Sequence, residues 1–364
     1  MKIHIYKHHL TSFFALSAIL LCNALLAQPT KEWWNKLTPQ WKECLMMSAE
    51  LEPPFQEHYL KKFATLDKVI CTGFDDYGDY RDIRTLEPIK ALPAIKKVDC
   101  SYAKISDLSP LKGKPIEVLN ISYTNVESLQ DLANMTSLKQ LSLSGTLVKS
   151  LTPIKDLKLE KLDLFELNLP DFNDIQYFKS LKSLSIDNTK IASLEPLKGL
   201  NMLEELRCSD TQISDLTPIS NLKSLKLLQI RNTKVTNLKP LEGLTKLNHL
   251  DCSSNEISDL SPLTKIMELE TLYLSNTKVN QLDILKNLKK IKEITFSETQ
   301  VKNLEPLRTL TSLSVLIFKG SMVNTLEPVK NLKSLTVLYC GDSKIPKTEM
   351  EAYQKNNPGV ETDF

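Results

Sequence analysis

Leucine and isoleucine recur with a period of 22 residues from about Ile95 to the C-terminus. In the unit that begins at Leu181, apolar residues occupy positions 1, 4, 6, 11, 14, 17 and 20, and polar residues occupy most of the others. Positions 4 and 6 are two residues apart, so on a strand both point to one face while positions 3, 5 and 7 point to the other. The pattern therefore predicts one short parallel strand per unit, with positions 11 to 20 folding back beneath it.

Two further positions repeat with the same period. Position 16 is proline in most units: Pro110, Pro153, Pro196, Pro218, Pro240, Pro262, Pro306 and Pro328. Proline fixes φ and suits the first residue of a short helical turn. Position 9 is polar in most units: Thr124, Thr146, Thr189, Thr211, Thr233, Asn255, Thr277, Thr299, Ser321 and Ser343. Because unpaired buried polar groups cost free energy, we expect these side chains to bond the backbone of the adjacent turn and to serve as scaffolding.

A period between 20 and 29 residues with leucine at positions 1, 4 and 6 is typical of leucine-rich repeats. The units resemble the 22-residue repeats of bacterial internalins and of the leucine-rich regulatory subunit of protein phosphatase 1, over roughly three quarters of the chain. The resemblance implies an α/β solenoid, a leucine-rich-repeat horseshoe with a parallel β-sheet on its concave face and short 3-10 or turn segments on its convex face. It also implies that a protein ligand binds the concave face.

Four segments are predicted: a signal peptide at 1–27, a helical N-terminal cap at 28–68, about 12 to 13 repeats at 69–345, and a C-terminal cap at 346–364. Lys2 and Lys7 precede an apolar run that ends at Leu21, and small residues follow, so cleavage is expected after Ala27 or Ala24. The run is too short for a transmembrane span. We therefore expect a secreted, periplasmic or cell-surface protein.

Lipid attachment at Cys22 is an alternative fate for this N-terminus. Leu21 argues against it, because lipoprotein signals usually carry a small residue immediately before the cysteine.

The N-terminal cap holds the three tryptophans, Trp33, Trp34 and Trp41. Thr38 and Pro39 predict a helix N-cap and first helical residue leading into 40–47, and a second amphipathic segment covers 55–63. We expect the aromatic side chains to form the core of the cap, because solenoid ends must be covered. Carbohydrate stacking on exposed Trp33 and Trp34 is the alternative.

At the other end, Thr348 and Glu351 match a capping box that starts a helix, and Asn357 with Pro358 ends that helix.

Cysteine is found repeatedly at inward position 6, at Cys71, Cys100, Cys208, Cys252 and Cys340. Free cysteine behaves as a small buried hydrophobe, which is the role expected for the last three. Cys44, Cys71 and Cys100 cluster near the N-terminal end, and in an exported protein one pair among them could form a disulfide.

Charge and motifs exclude several function classes. The sequence has 46 basic and 44 acidic residues; without Lys2 and Lys7 of the leader, both numbers are 44. A neutral surface argues against nucleic acid or an anionic membrane as the main partner. No HExxH, GxSxG, P-loop or CxxC pattern occurs, and only His58 and His249 remain after the leader, so we expect no catalysis and no cofactor.

An acidic loop at 75–82 invites a calcium hypothesis, but it lacks the ligand spacing of an EF-hand, so we expect no metal site. A solvated loop is the favoured interpretation, and Tyr77 and Tyr80 within it could touch a partner.

The outward positions change from polar to apolar toward the C-terminus. The first candidate surface comprises Tyr273, Val315, Ile317, Val337 and Tyr339, with Lys319 and Asp342 at its rim. Contiguous exposed apolar area commonly marks an interface. The alternative is that the C-terminal cap folds over part of this surface.

Two other features are candidates for contact with a ligand. Charges of both signs lie in the middle of the array: Asp187, Glu205, Arg207, Asp210, Arg231 and Asp251. They either tune association with a partner or form an ordinary solvated surface. The fifth unit lacks threonine at position 9, which predicts a local change of curvature with Phe165 at an outward position.

The favoured function is an exported binding module that holds a protein partner, or a glycan, on the concave face without chemistry. A regulatory or inhibitory subunit that docks on an exported enzyme is the main alternative, and a hydrolase built on the array is a third.

Overall fold

The computed structural model describes residues 28–72 and 82–364. The predicted signal peptide, Cys22, Tyr77 and Tyr80 lie outside the described residues. The chain divides into two compact units, Met1–Leu157 and Lys158–Phe364.

The N-terminal cap of the first unit contains three short helices: α1 (Lys31–Lys36), α2 (Pro39–Ser48) and α3 (Tyr59–Ala64). The Thr38 side chain accepts a hydrogen bond from the Trp41 backbone N–H at 3.3 Å, and Pro39 is the first residue of α2. Both features were predicted. The second amphipathic segment is helical only from Tyr59, and Phe55 lies before the helix.

The first unit continues with parallel strands β1 (Lys68–Ile70), β2 (Lys97–Asp99), β3 (Val118–Asn120) and β4 (Gln140–Ser142). Each repeat strand covers positions 3 to 5, so it contains the predicted inward position 4 but ends before position 6. Its 3-10 segments are Glu87–Ala91, Ser109–Leu111, Gln130–Leu132 and Thr152–Ile154.

The second unit repeats this arrangement and ends with a further helix and strand. Its parallel strands are β5 (Lys161–Asp163), β6 (Ser183–Ser185), β7 (Glu205–Arg207), β8 (Leu227–Gln229), β9 (His249–Asp251), β10 (Thr271–Tyr273), β11 (Glu293–Thr295), β12 (Val315–Ile317), β13 (Val337–Tyr339) and β14 (Glu361–Asp363), and α4 (Lys347–Asn356) precedes β14. Its 3-10 segments are Asn173–Tyr177, Glu195–Leu197, Thr217–Ile219, Lys239–Leu241, Ser261–Lys265, Asp283–Asn287 and Glu305–Leu307. The α/β solenoid of parallel strands and 3-10 turns was predicted correctly.

Proline at position 16 lies one residue later in its turn than predicted. Pro196, for example, is the second residue of the segment Glu195–Leu197. The inward positions are closed to solvent, as Leu184, Leu206 and Leu228 show with no exposed area. Strand, turn and core therefore follow from the repeat.

Most position 9 side chains are hydrogen-bonded, mainly within their own repeat, whereas the buried Ser343 hydroxyl has no hydrogen-bond partner among the described residues. Thr189 donates to the Ile186 carbonyl at 2.7 Å, and Thr277 donates to the Leu274 carbonyl at 2.7 Å. The expected bond to the adjacent turn was wrong for these threonines, because their short side chain reaches the carbonyl three residues earlier. Asn255 has the longer side chain, and its Nδ2 does reach the Ile230 carbonyl of the preceding repeat at 2.7 Å.

Position 8 has a left-handed backbone throughout the array, which the sequence analysis did not anticipate. The residues with positive φ are Tyr102, Tyr123, Gly145, Glu166, Asn188, Asp210, Asn232, Ser254, Asn276, Glu298, Gly320 and Asp342. The left-handed region is unfavourable for most L-residues and must be imposed by the surrounding structure. In each case the chain leaves its strand here, and the Asn188 backbone N–H, for example, donates to the Ser209 carbonyl of the next repeat at 2.9 Å.

The predicted capping box at Thr348 was wrong. Helix α4 begins at Lys347 with Pro346 at its N-cap, and no side chain caps it. A carboxylate of the first turn is used differently: Glu349 accepts hydrogen bonds from the Thr325 hydroxyl at 2.8 Å and the Leu326 N–H at 2.7 Å. Tertiary contact with the last repeat has therefore replaced local capping. The helix ends before Asn357, as predicted.

The cysteines separate into two groups. Cys44 of α2 and Cys71, which follows β1, form a disulfide with a Cα–Cα distance of 5.3 Å. Cys100, the third candidate, is free and buried, as are Cys208, Cys252 and Cys340. Burial raises the pKa of the Cys340 thiol to about 12. The free thiols therefore act as core side chains.

Candidate functional site

Four apolar side chains lie side by side on β12 and β13. The parallel register places Val315 beside Val337 and Ile317 beside Tyr339. They occupy outward positions 3 and 5, and all four remain partly exposed. We call this set of four residues the C-terminal apolar block.

The C-terminal cap extends the sheet beside this block. Strand β14 pairs with β13, so that Glu361 lies beside Val337 and Asp363 beside Tyr339. The Tyr339 hydroxyl donates to the Glu361 carboxylate, which raises the pKa of Tyr339. The cap therefore borders the block along one edge and contacts Tyr339 from there.

Lys319, predicted at the rim of the surface, donates to Asp363 at that edge. This contact raises the pKa of Lys319. Position 8 brings two more carboxylates: Asp342 is exposed, and the Glu298 carboxylate extends over Gly320 into the space that a Cβ would occupy. The rim is thus mainly acidic.

Tyr273 does not join the block. It lies on β10, and β11 with Glu293 and Thr295 separates it from Val315 and Ile317. Its ring meets the His249 ring edge-on, with centroids 5.4 Å apart. Burial raises the pKa of Tyr273 to about 12, and a hydrogen bond with Glu293 acts in the same direction. Tyr273 therefore belongs to a separate polar cluster.

The charges in the middle of the array are largely satisfied by neighbours. Arg207 pairs with Glu205 at 3.0 Å, and Glu205 also accepts from the Ser183 hydroxyl. Asp187 accepts from the Ser209 backbone N–H at 2.6 Å, while burial raises its pKa.

The remaining predicted residues of this region lie at separate places on the same unit. Asp251 accepts from the Ser253 backbone N–H at 3.0 Å, and Asp210 accepts from the Asn232 amide at 2.7 Å. Arg231 is exposed at position 7. Phe165 is half-buried just after β5, far along the strand order from the C-terminal apolar block. The structure does not gather these residues into one site.

Comparison with known proteins agrees with this architecture. The family model described as "Leucine Rich repeats (2 copies)" matches residues 201–243 and 223–265. These residues match leucine-rich repeats, and the fold of the chain is similar to that of internalins. A search of curated proteins by sequence finds no significant match.

Three solved structures illustrate the similarity in fold. The internalin InlF of Listeria monocytogenes is 21% identical with a TM-score of 0.77, over 93% of this chain and 98% of the other. InlJ of the same organism is 17% identical with a TM-score of 0.60, over 87% of this chain and 76% of the other. A leucine-rich-repeat protein of Leptospira interrogans is 20% identical with a TM-score of 0.53, over 76% and 86%. These similarities concern the fold.

The tryptophans of the N-terminal cap are engaged in its core. Trp34 is 6% exposed, and its ring stacks on Phe55 at 4.3 Å and on Phe63 at 5.4 Å between centroids. Trp33 is half-buried and donates from Nε1 to the Pro88 carbonyl at 3.3 Å. Because Trp34 is buried in an aromatic stack, the carbohydrate alternative for this pair is not supported.

Within residues 28–72 and 82–364, no group of three or more His, Cys, Asp or Glu side chains could hold a metal ion. In the same ranges no helix is both long and apolar enough to cross a membrane.

The acidic border of the block was not predicted from the sequence. Glu293 could not be recognised as part of a border because position 3 has no fixed residue type. Glu361 and Asp363 could not be placed beside the block because their segment lacks the repeat periodicity. A search for acidic residues one period from Val315 would have found Glu293.

Proposed function

We propose that this chain is an exported binding module that holds a protein partner on the outward sheet face, at the C-terminal apolar block, without chemistry. The leucine-rich-repeat fold resembles that of internalins and of other proteins that act by binding. The observation that carries the proposal is the pairing of Val315 with Val337 and of Ile317 with Tyr339 on one partly exposed face.

The backbone of the C-terminal apolar block is preorganised for binding. Hydrogen-bonded strands fix the backbone of the block, so binding costs little additional ordering of the chain. Contiguous exposed apolar area is a common mark of interfaces, and tyrosine is enriched among the residues that dominate binding energy. The mid-array charges are less suited to this role, because Glu205 and Arg207 already pair with each other.

Two features support export. A basic start followed by an apolar run is the pattern of a secretory signal. The Cys44–Cys71 disulfide fits an oxidising compartment, since such bonds are rare in the reducing cytosol.

A capture experiment tests the binding site. The purified wild-type protein and an Ile317→Ser, Tyr339→Ser variant each serve as bait. Both are incubated with envelope and extracellular fractions of the organism that produces the protein. The control is Met202→Ser, Met267→Ser, which removes two apolar side chains that are each 49% exposed outside the strands. We expect a partner that the wild type and the control retain and the block variant loses. Retention by all three proteins would contradict the proposal.

A folding check accompanies the capture. Both variants change surface positions, so each should unfold within about 0.5 kcal/mol of the wild type. Loss of binding with unchanged stability would then report on contact and not on misfolding.

A further inference from the structure

Carboxylates border the C-terminal apolar block on two opposite sides. Across strands β11 to β14, position 3 reads Glu293, Val315, Val337 and Glu361 in spatial order. The position 5 row ends at Asp363 beside Tyr339. In both rows, the apolar pair therefore lies beside a carboxylate on β14. In the position 3 row, it also lies beside a carboxylate on β11, that of Glu293.

Two more carboxylates follow where the strands end. Glu298 and Asp342 occupy position 8 after β11 and β13, with φ of 54° and 57°. Gly320 occupies the same position after β12, and the Glu298 side chain extends over it. Since both carboxylates are exposed, they extend the acidic border to a third side of the block.

The border has little compensating charge. Among the described residues at positions 3, 5, 7 and 8 of these four strands, five carboxylates face one ammonium group, that of Lys319. Lys319 already contacts Asp363, and the Tyr339 hydroxyl already contacts Glu361. The excess negative charge is therefore left for solvent or a partner to balance.

We propose that the partner segment that occupies the C-terminal apolar block is basic, with apolar side chains flanked on both sides by Lys or Arg. This inference rests on the proposed function and adds the chemistry of the partner. Strands β11 and β14 are three strand spacings apart, roughly 14 Å, which is slightly more than the width of an α-helix with its side chains. A single segment lying over the block can therefore place basic residues over both acidic sides.

Electrostatics also disfavours other partners. A segment flanked by acids would meet an excess of like charges, and a segment flanked by neutral residues would desolvate carboxylates without pairing them. Phosphate backbones and anionic lipid surfaces require a basic field, which this face lacks.

Two synthetic peptides test the chemistry. Both are amphipathic helices of about 18 residues with the same leucine face, and one carries lysine where the other carries glutamate. Binding is measured by fluorescence anisotropy between about 0.05 and 0.5 M NaCl, a range over which screening of exposed charges changes strongly. The proteins are the wild type, the block variant Ile317→Ser, Tyr339→Ser, and the acid variant Glu293→Gln, Glu298→Gln, Asp342→Asn.

A matched charge control separates local from general attraction. Glu256→Gln, Glu268→Gln, Glu327→Gln removes three exposed carboxylates of the same unit that lie off the sheet face. We expect the wild type to prefer the lysine peptide by at least about tenfold, and the acid variant to lose about tenfold in affinity for it while the control keeps it. Affinity for the lysine peptide should fall as NaCl rises, and the block variant should lose binding.

Equal affinity for both peptides, no binding of either, or an equal loss in the acid variant and the control would overturn the inference. Binding of the captured partner to the two variants distinguishes failure of this inference from failure of the proposed function. A partner lost by the block variant but unaffected by the acid variant would leave the binding site standing and remove only the basic chemistry. A partner retained by the block variant would remove both.

Discussion

Adjacent residues of one strand can have opposite roles, and Leu228 and Gln229 illustrate this. Leu228 has no exposed area, whereas Gln229 is partly exposed on the outward face. We expect Leu228→Ala to lower the free energy of unfolding by about 2 to 5 kcal/mol, because truncation leaves a cavity between neighbouring repeats. Gln229→Ser should change it by no more than about 0.5 kcal/mol.

Urea unfolding followed by circular dichroism measures both changes. If the two variants were equally stable, the inward and outward assignment of positions 4 and 5 would be incorrect.

His249 should make stability depend on pH. Burial lowers its pKa, against the opposing effects of Asp251 and Glu293, while Arg207 lowers it further. The unfolded chain then binds a proton more readily than the folded chain, so the His249 contribution to stability is present above about pH 6.5 and is lost as the pH falls below it. We expect His249→Gln to reduce this loss.

The measurement is the free energy of unfolding of both proteins as a function of pH. The difference between wild type and variant isolates the histidine from the many carboxylates that titrate at lower pH. A difference that stays constant through the acid range would contradict the assignment.

At the scale of elements, the disulfide ties helix α2 to the first strand. It closes a separation of 27 residues between Cys44 and Cys71. We expect Cys44→Ala, Cys71→Ala to destabilise the cap by about 2 to 4 kcal/mol, mainly because the unfolded chain gains freedom. Hydrogen exchange should locate the loss in α2 and β1.

Cys208→Ala is the matched control, because Cys208 is equally buried but free. A reductant should destabilise this control as much as the wild type and leave the double variant unchanged. An unresponsive wild type would show that the bond does not form in solution.

The last elements show how tertiary contact can replace local signals. Helix α4 lacks a side-chain cap, and its Glu349 instead bonds the last repeat through Thr325 and Leu326. Strand β14 has a charged sequence that no strand pattern predicts, yet it pairs with β13.

At the scale of the whole molecule, the first 27 residues predict export. When the full chain is expressed in a bacterium, we expect the exported protein to begin at Gln28 or Leu25, because a basic start and an apolar run lead to small residues at Ala24 and Ala27. Intact mass and N-terminal sequencing measure this.

A Leu20→Arg variant, which interrupts the apolar run, should remain unprocessed. A protein that starts at Cys22 with added acyl mass would establish lipid attachment instead, and unprocessed wild-type chain in the cytoplasm would contradict export.

The sequence by itself determined the repeat. Inward and outward positions, such as those of Leu228 and Gln229, follow from a period of two within a period of 22. The N-cap at Thr38 was equally readable, since capping depends on a few adjacent residues.

Only the tertiary structure decided which residues meet across strands and at the ends. Three cysteines were possible partners, and packing of α2 against β1 selected Cys44 and Cys71. Tyr273 was grouped with Ile317 because both occupy outward position 5 of late repeats, but β11 lies between their strands. Strand β14 exists because β13 offers unpaired backbone groups at its edge. Periodicity is a local property of the chain, whereas the acidic border of the block depends on which segments lie beside each other in space.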